Sequence, residues 1–339
     1  MSNIRFANAI KKNPQKIPPV WFMRQAGRYH KHYQKLRAKH DFIELCKNVN
    51  LAAEVTMGPI EDFDFDVAIL FSDLLFPLEA MGMGLKYAPG PMLEWQLTPE
   101  SIKKLRPSNE AAPALLFQKH ALEAIRKRLP QEKSLIGFVG GPWTLFTYAV
   151  EGQHAGHLIK SKTDQRLFHK FCEILLPLLK QNIEWQLEGG AEVVMLFDTA
   201  AGELAPDVFL QVVAPYLGDL CGKFPGVLGY YSKGTTEAHY QSPIFRKLPW
   251  AGLGFDHRWN LHDCYSWSPG FVQGNFDQTM LFAKPDEFKV YLQNYLTPFL
   301  KATPEQRAGW VCGLGHGVLP ETPEENVRVF VRTIRELFA

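Results

Sequence analysis

Cysteine is scarce in this sequence: five residues in 339, at Cys46, Cys172, Cys221, Cys264 and Cys312, with no C-x-x-C pair. An odd, scattered set excludes a disulfide framework and is the pattern of a reducing compartment, so a cytoplasmic protein is expected. Charge excess is lacking too, with 37 Lys plus Arg against 35 Asp plus Glu and a formal net charge of +2. The longest basic run is Arg126-Lys127-Arg128. That is too short for the clustered positive face of a nucleic-acid binder. Long apolar runs are also missing. The longest uncharged stretch, Ser134 to Val150, is interrupted by Gly137, Gly140, Gly141 and Pro142. It reads as strand, turn and helix, and no membrane span is expected. Residues Met1 to Lys16 are polar and basic, without the apolar core of a secretory signal. Low-complexity linkers and charge blocks are absent, and a composition 46% hydrophobic and 21% charged supports a packed core over disorder.

What is present is an alternation. Short apolar runs at Val20–Met23, Val67–Phe71, Leu135–Val139, Glu192–Phe197, Val227–Tyr231, Trp250–Phe255, Phe271–Gly274 and Gly309–Gly313 read as strands buried on both faces. Helical patterns fill most gaps: 51–61, 111–128, 166–188, 207–221, 237–247, 287–300 and 324–338. Thr322-Pro323-Glu324-Glu325 predicts an N-cap at Thr322 with proline in the first turn. Gly189-Gly190 predicts a left-handed helix end. The stretch 85–97, with Pro89-Gly90-Pro91 between β-like flanks, predicts an inserted hairpin. Eight strands alternating with helices predict a single (β/α)₈ barrel domain over residues 1–339, with an N-terminal extension. A doubly wound open sheet is the competing architecture. It normally carries a nucleotide fingerprint after its first strand, and no G-x-G-x-x-G or G-x-x-x-x-G-K-[ST] occurs here.

Barrel active sites lie at the C-terminal ends of the strands, so the residues just beyond each run matter most. Arg24-Gln25-Ala26-Gly27-Arg28 follows the first. Two guanidinium forks four residues apart suit carboxylate or phosphate, although most arginine pairs simply bridge surface acids. Ser72-Asp73 follows the second run, Gly140 to Thr144 and then Tyr148 the third, and Asp198-Thr199-Ala200-Ala201-Gly202 the fourth. Asp73 and Asp198, each taken alone, read most simply as helix N-caps. Leu314-Gly315-His316-Gly317 follows the last run, where flanking glycines permit close backbone approach to a ligand.

At these residues the sequence resembles the uroporphyrinogen decarboxylase family of haem biosynthesis. Pro19 to Tyr29 is similar to the family's N-terminal signature nearly residue for residue, and Gly137 to Thr144 to its second. Phe71-Ser72-Asp73, Gln273-Gly274-Asn275 and Leu314-Gly315-His316-Gly317 fall in the family's order. The resemblance implies a cofactor-free and metal-free decarboxylase on one (β/α)₈ domain, usually a homodimer. Its substrate would be uroporphyrinogen, whose four acetate arms become methyls. It further implies that Arg24 and Arg28 bind substrate carboxylates. Asp73 would sit under the pyrrole N–H groups, Tyr148, Thr199 and His316 would line the site, and Phe138 would pack on the macrocycle. In catalysis Asp73, Arg24, Arg28 and Tyr148 would be central, with an arginine either donating or positioning the proton. Four departures stand out: Ala200, expected to open the cleft wall; Gly141 where alanine is usual; Gly313 where asparagine is common; and an expanded Gly252-Leu253-Gly254-Phe255-Asp256.

A related group with this fold transfers methyl groups using zinc held by His-x-Cys and a distant Cys. His262-Asp263-Cys264 and Cys312 match that by ligand type. The simpler reading is two unrelated thiols. A catalytically idle tetrapyrrole carrier is the non-enzyme alternative; the arginines, Asp73 and Tyr148 argue against it.

Overall fold

A computed structural model describes residues 2–87 and 90–339. The strands are β1 (Val67–Ile69), β2 (Lys86–Tyr87), β3 (Pro91–Met92), β4 (Ser134–Gly140), β5 (Val193–Phe197), β6 (Leu228–Tyr231), β7 (Gly252–Gly254), β8 (Phe271–Phe276) and β9 (Trp310–Leu314). Every residue of β4, β8 and β9 is buried, as parallel strands under helices require. The seven longer-range strands run in the order β1-β4-β5-β6-β7-β8-β9, which is chain order. A doubly wound sheet reverses direction at a switch point, so this monotonic order places the chain in the (β/α)-barrel class.

The first expected strand, Val20–Met23, is corrected to a single parallel bridge, Val20 to Cys312. Trp21 N–H donates to Cys312 O at 3.0 Å and Cys312 N–H to Pro19 O at 2.9 Å. On the other side Asp66 N–H donates to Val20 O at 3.0 Å. Pro18 and Pro19 supply no N–H for a longer ladder, and the chain turns away at Met23-Arg24. The segment still occupies a strand position, bonded to β9 and to the residue just before β1.

The chain forms two compact units: one of residues up to Phe71, Ala121–Ile136 and Ala251–Ala339, the other of Ser72–His120 and Gly137–Trp250. In the first, α1 (Ile4–Ile10), α2 (Val49–Phe63), α3 (Leu116–Arg128, shared with the second), α6 (Pro285–Lys301) and α7 (Glu324–Phe338) surround their strands. Its organising group is Asp66, 1% exposed. The carboxylate accepts from Val20 N (2.7 Å), Asn3 Nδ2 (3.2 Å), Arg5 Nη1 (3.1 Å) and Arg335 Nη2 (2.6 Å). One side chain thus ties α1, the Val20 segment and α7 together. Phe22, Phe65, Phe276 and Phe330 pack beside it, with Phe22 and Phe330 edge to face at 4.9 Å.

The second unit is built on α4 (Pro142–Glu151) and α5 (Gln165–Glu188). Asp164 caps α5 by accepting Leu167 N–H. The expected left-handed end falls on Gly190, φ 104°. Ala191 N–H reaches Gln186 O and Gly190 N–H reaches Leu187 O, the two bonds of a Schellman end. Trp143, Phe146, Phe168 and Phe171 lock α4 onto α5.

Prolines break three of the expected helices. Pro113 turns residues 112–115 into a 3₁₀ turn before α3. Pro206 and Pro215 flank a π-helical turn at Phe209–Val213. Pro243, capped by Ser242, divides 237–247 into Glu237–Tyr240 and Pro243–Arg246. At α7 the N-cap is Pro323, and the Thr322 hydroxyl donates to Leu319 O instead of capping. The inserted hairpin is present as antiparallel β2 and β3, Tyr87 facing Pro91. Its predicted turn residue Pro89 lies outside the described residues.

Candidate active site

Arg24, Arg28 and His316 belong to the first unit. Arg24 adopts φ 56°, the left-handed region, which a non-glycine residue occupies only when its surroundings impose it. Gln25 is buried beneath the turn and donates to Val67 O at 2.7 Å, and buried Tyr29 donates to Gln25 O at 2.6 Å. Val318 N–H donates to Met23 O at 3.0 Å, joining the turn to the loop after β9. The Arg24 side chain then lies against Gly317, where a Cβ would come within 2.9 Å of Arg24 Cβ and 3.3 Å of its Nε. The structure therefore brings Arg24 beside the residue following His316, which is half-buried, while Arg24 and Arg28 stay exposed.

Two departures from the family pattern have local causes here. A Cβ at Gly313 would overlap Trp21 O and approach Gln273 Nε2 to 2.9 Å. A Cβ at Gly315 would meet His257 N at 2.5 Å, so the backbone of the 256–257 turn packs against this glycine. The expanded Gly252–Asp256 stretch is β7 followed by a turn. Buried Asp256 binds Arg258 Nη1 at 2.7 Å, and Asn275 Nδ2 donates to Asp256 O and Trp259 O.

Asp73, Phe138, Tyr148 and Thr199 belong to the second unit. Asp73 is half-buried and its Oδ1 accepts Leu75 N–H at 2.8 Å, a local turn and not the expected helix cap, since the helix that follows has Leu75 at its N-cap. Phe138 packs on Phe197 at 5.6 Å between ring centres. The Tyr148 hydroxyl pairs with His154 Nδ1, with the two rings stacked at 5.0 Å. Thr199 is half-buried. Ala200 and Ala201 are fully buried, so the expectation that Ala200 opens a cleft wall is corrected: these small side chains lie in packing.

Two residues that the sequence reading missed connect this set. Gln186 on α5 accepts Phe138 N–H at 2.8 Å and donates to Phe138 O at 2.9 Å and to Gln118 Oε1 at 3.2 Å. Gln118 on α3 donates to Ser72 Oγ at 2.8 Å, next to Asp73. Both glutamines are nearly inaccessible, 2% and 0% exposed. Both Gln186 Nε2 protons are used, so the amide orientation is determined by its partners. Gly137 has no room for a Cβ because Gln186 Oε1 fills the space. The signal available in sequence was a polar amide within an otherwise apolar helix face.

Asp198, fully buried at the end of β5, caps α4 and not a helix of its own. Its Oδ1 accepts Thr144 N–H at 2.7 Å.

His262 and Cys264 lie on the short helix Leu261–Cys264. The His262 ring stacks on Phe299 at 5.0 Å, and Cys264 Sγ donates to Asn260 O at 3.5 Å. Burial holds the Cys312 thiol well above the usual range. Among the described residues no three His, Cys, Asp or Glu side chains are grouped to hold a metal ion. All five cysteines are buried thiols outside any disulfide. No helix among the described residues is long and apolar enough to cross a membrane.

Comparison with known proteins gives one consistent family. The family model for uroporphyrinogen decarboxylase matches residues 1–337. Proteins of that name from Solibacter usitatus and Helicobacter hepaticus are each 35% identical, covering 98% of this chain and 97% and 98% of theirs. Among solved structures, a methyltransferase from Methanosarcina mazei superposes with TM-score 0.79 at 19% identity, covering 99% of both chains. That likeness is one of fold.

Proposed function

The chain belongs to the uroporphyrinogen decarboxylase family, an enzyme family of tetrapyrrole biosynthesis, and from that membership we propose how its residues work. The substrate is uroporphyrinogen III and the products are coproporphyrinogen III and carbon dioxide, formed at one barrel domain without metal or cofactor. The full-length family match carries this reading. Direct loss of carbon dioxide from an arylacetate would leave an unstabilised carbanion. Protonation of the pyrrole carbon first gives a cationic ring. The C–C bond to the carboxylate then breaks and its electron pair flows into that ring. The exocyclic methylene so formed takes up a proton as the ring proton leaves, so each arm consumes one proton and releases one carbon dioxide.

Arg24 and Arg28 hold substrate carboxylates as bidentate forks and act by charge and orientation. Asp73 accepts the pyrrole N–H groups and stabilises the ring cation, a preorganised charge of the kind worth roughly 3–4 kcal/mol. Tyr148, Thr199 and His316 contact the substrate, and Phe138 packs on the macrocycle. The protein acts as a homodimer in the cytoplasm. The test is anaerobic incubation with uroporphyrinogen followed by chromatography, with and without a chelator. Stepwise loss of four carboxylates in both supports the proposal. Binding without decarboxylation, or chelator-sensitive turnover, sinks it.

A further inference from the structure

We propose that Asp198 is a positioning residue: from the end of β5 it caps the N-terminus of α4 in trans and so sets Tyr148 and Thr199. The proposal rests on the reading of those two side chains as substrate contacts.

The residue at the N-cap of α4 is Gly141, which has no side chain to offer, and Pro142 follows it. The orphan N–H of the third helical residue, Thr144, is taken by Asp198 Oδ1 from 54 residues away. Glycine at 141 is what makes room, since a Cβ there would overlap Asp198 Cβ and Cγ. Gly141 N–H also donates to Phe197 O at 2.9 Å. The bond is returned, for Thr144 Oγ1 accepts Ala200 N–H at 2.9 Å. Thr199 is therefore held between two residues fastened to α4, and Tyr148 stands one turn further along the same helix. The start of α4 and the turn after β5 are a single clamped unit.

The surroundings of Asp198 explain why an acid here is conspicuous. Cys172 on α5 and Tyr230 on β6 face it, and Tyr230 donates to Oδ2 at 3.5 Å. Burial, helped by the carboxylate itself, holds both groups well above their usual ranges and so neutral. Glu173, beside Cys172 on α5, is the other charge acting there. Burial pushes Asp198 up to about 6, against the opposing hydrogen bonds from Thr144, Trp143 and Tyr230. A neutral cap would also satisfy Thr144 N–H, but only the carboxylate sets a full negative charge against the positive end of α4. Among the described residues its hydrogen-bond partners include no cation, so burying the acid costs stability, as it does at sites where a charge is put to use.

The experiment is the pH dependence of kcat for the full chain with uroporphyrinogen, comparing wild type, Asp198→Asn, Thr144→Val and Thr144→Ser. In wild type kcat falls as pH drops through about 6 while circular dichroism stays constant. Asp198→Asn folds with equal or higher Tm, loses roughly tenfold or more in kcat with little change in KM, and shows no such limb. Wild-type kcat in that variant, or an acid limb that survives in it, overturns the proposal. Should it not fold, Thr144→Val decides: a kcat loss restored by Thr144→Ser supports the clamp, and undiminished kcat refutes it. Tyr148→Phe and Thr199→Ala in the same assay separate the two readings. If both are fully active, the substrate reading falls and the proposal with it; if either is impaired beside a fully active Asp198→Asn, the clamp alone falls.

Discussion

Asp66 and Asp198 are both buried carboxylates, and they are treated in opposite ways. Asp66, in the first unit, meets two guanidinium groups, a side-chain amide and a backbone N–H. Asp198, in the second, meets a helix N-terminus and a hydroxyl, with no cation among its partners in the described residues, and burial pushes its carboxyl up to about 6. Supplied with cations, a buried acid becomes a joint between distant segments. Left to dipoles, it stays close to titration and couples the local backbone to pH. The same residue type is therefore a structural joint in one place and, on our proposal, a positioning device in the other.

The sharpest way to break the contrast is Asp66→Ala. It strands Arg5, Arg335 and Val20 N–H together, and because the arginines are partly exposed the expected loss is about 3–4 kcal/mol in chemical denaturation. A loss below about 1 kcal/mol would mean that Asp66 is not the joint described. Next comes Asp73→Asn, expected to lower kcat/KM by about 10²–10³ with unfolding free energy unchanged. Full activity would remove the cation-stabilising role.

The third test reads the sign of the Asp198 shift. Its folded pKa is raised, so between about 4 and 6 the native state binds more protons than the unfolded state. Its contribution to stability is thus greatest below the unfolded value and declines as pH rises to the folded one. Across that window, wild type should lose up to about 3 kcal/mol relative to Asp198→Asn. Parallel stability profiles would show that the carboxylate is not strained. The smallest effect is Gln118→Leu, which leaves Ser72 Oγ and one Gln186 proton without partners and should cost about 1–3 kcal/mol. A double-mutant cycle with Gln186→Leu is expected to be strongly non-additive; simple additivity would mean the two amides act separately.

The barrel class was legible because period and burial are local properties: seven of eight predicted runs are strands, and their bounds shift by only a few residues. Val20–Met23 failed as a full strand because its two prolines weaken the ladder, something hydrophobicity does not register. Prolines also explain the split helices at 113, 215 and 243. Motif positions singled out Arg24, Asp73 and His316 as candidates, whereas the contacts of Gln118 and Gln186 and the trans cap by Asp198 were invisible. Their partners lie 46 to 68 residues away, and no local pattern encodes such a pairing.

The Val20 bridge has a consequence for how the chain is made. The bridge partner of Val20, Cys312, is synthesised nearly 300 residues after it. Arg335, which completes the Asp66 joint, comes later still. Until then this apolar segment can be held only on its Asp66 and Val67 side, and its β9 side stays open to mispairing and to chaperones, because so distant a closure cannot form early. Proteolysis of stalled nascent chains should therefore cut within 19–29 faster before β9 has emerged than after it.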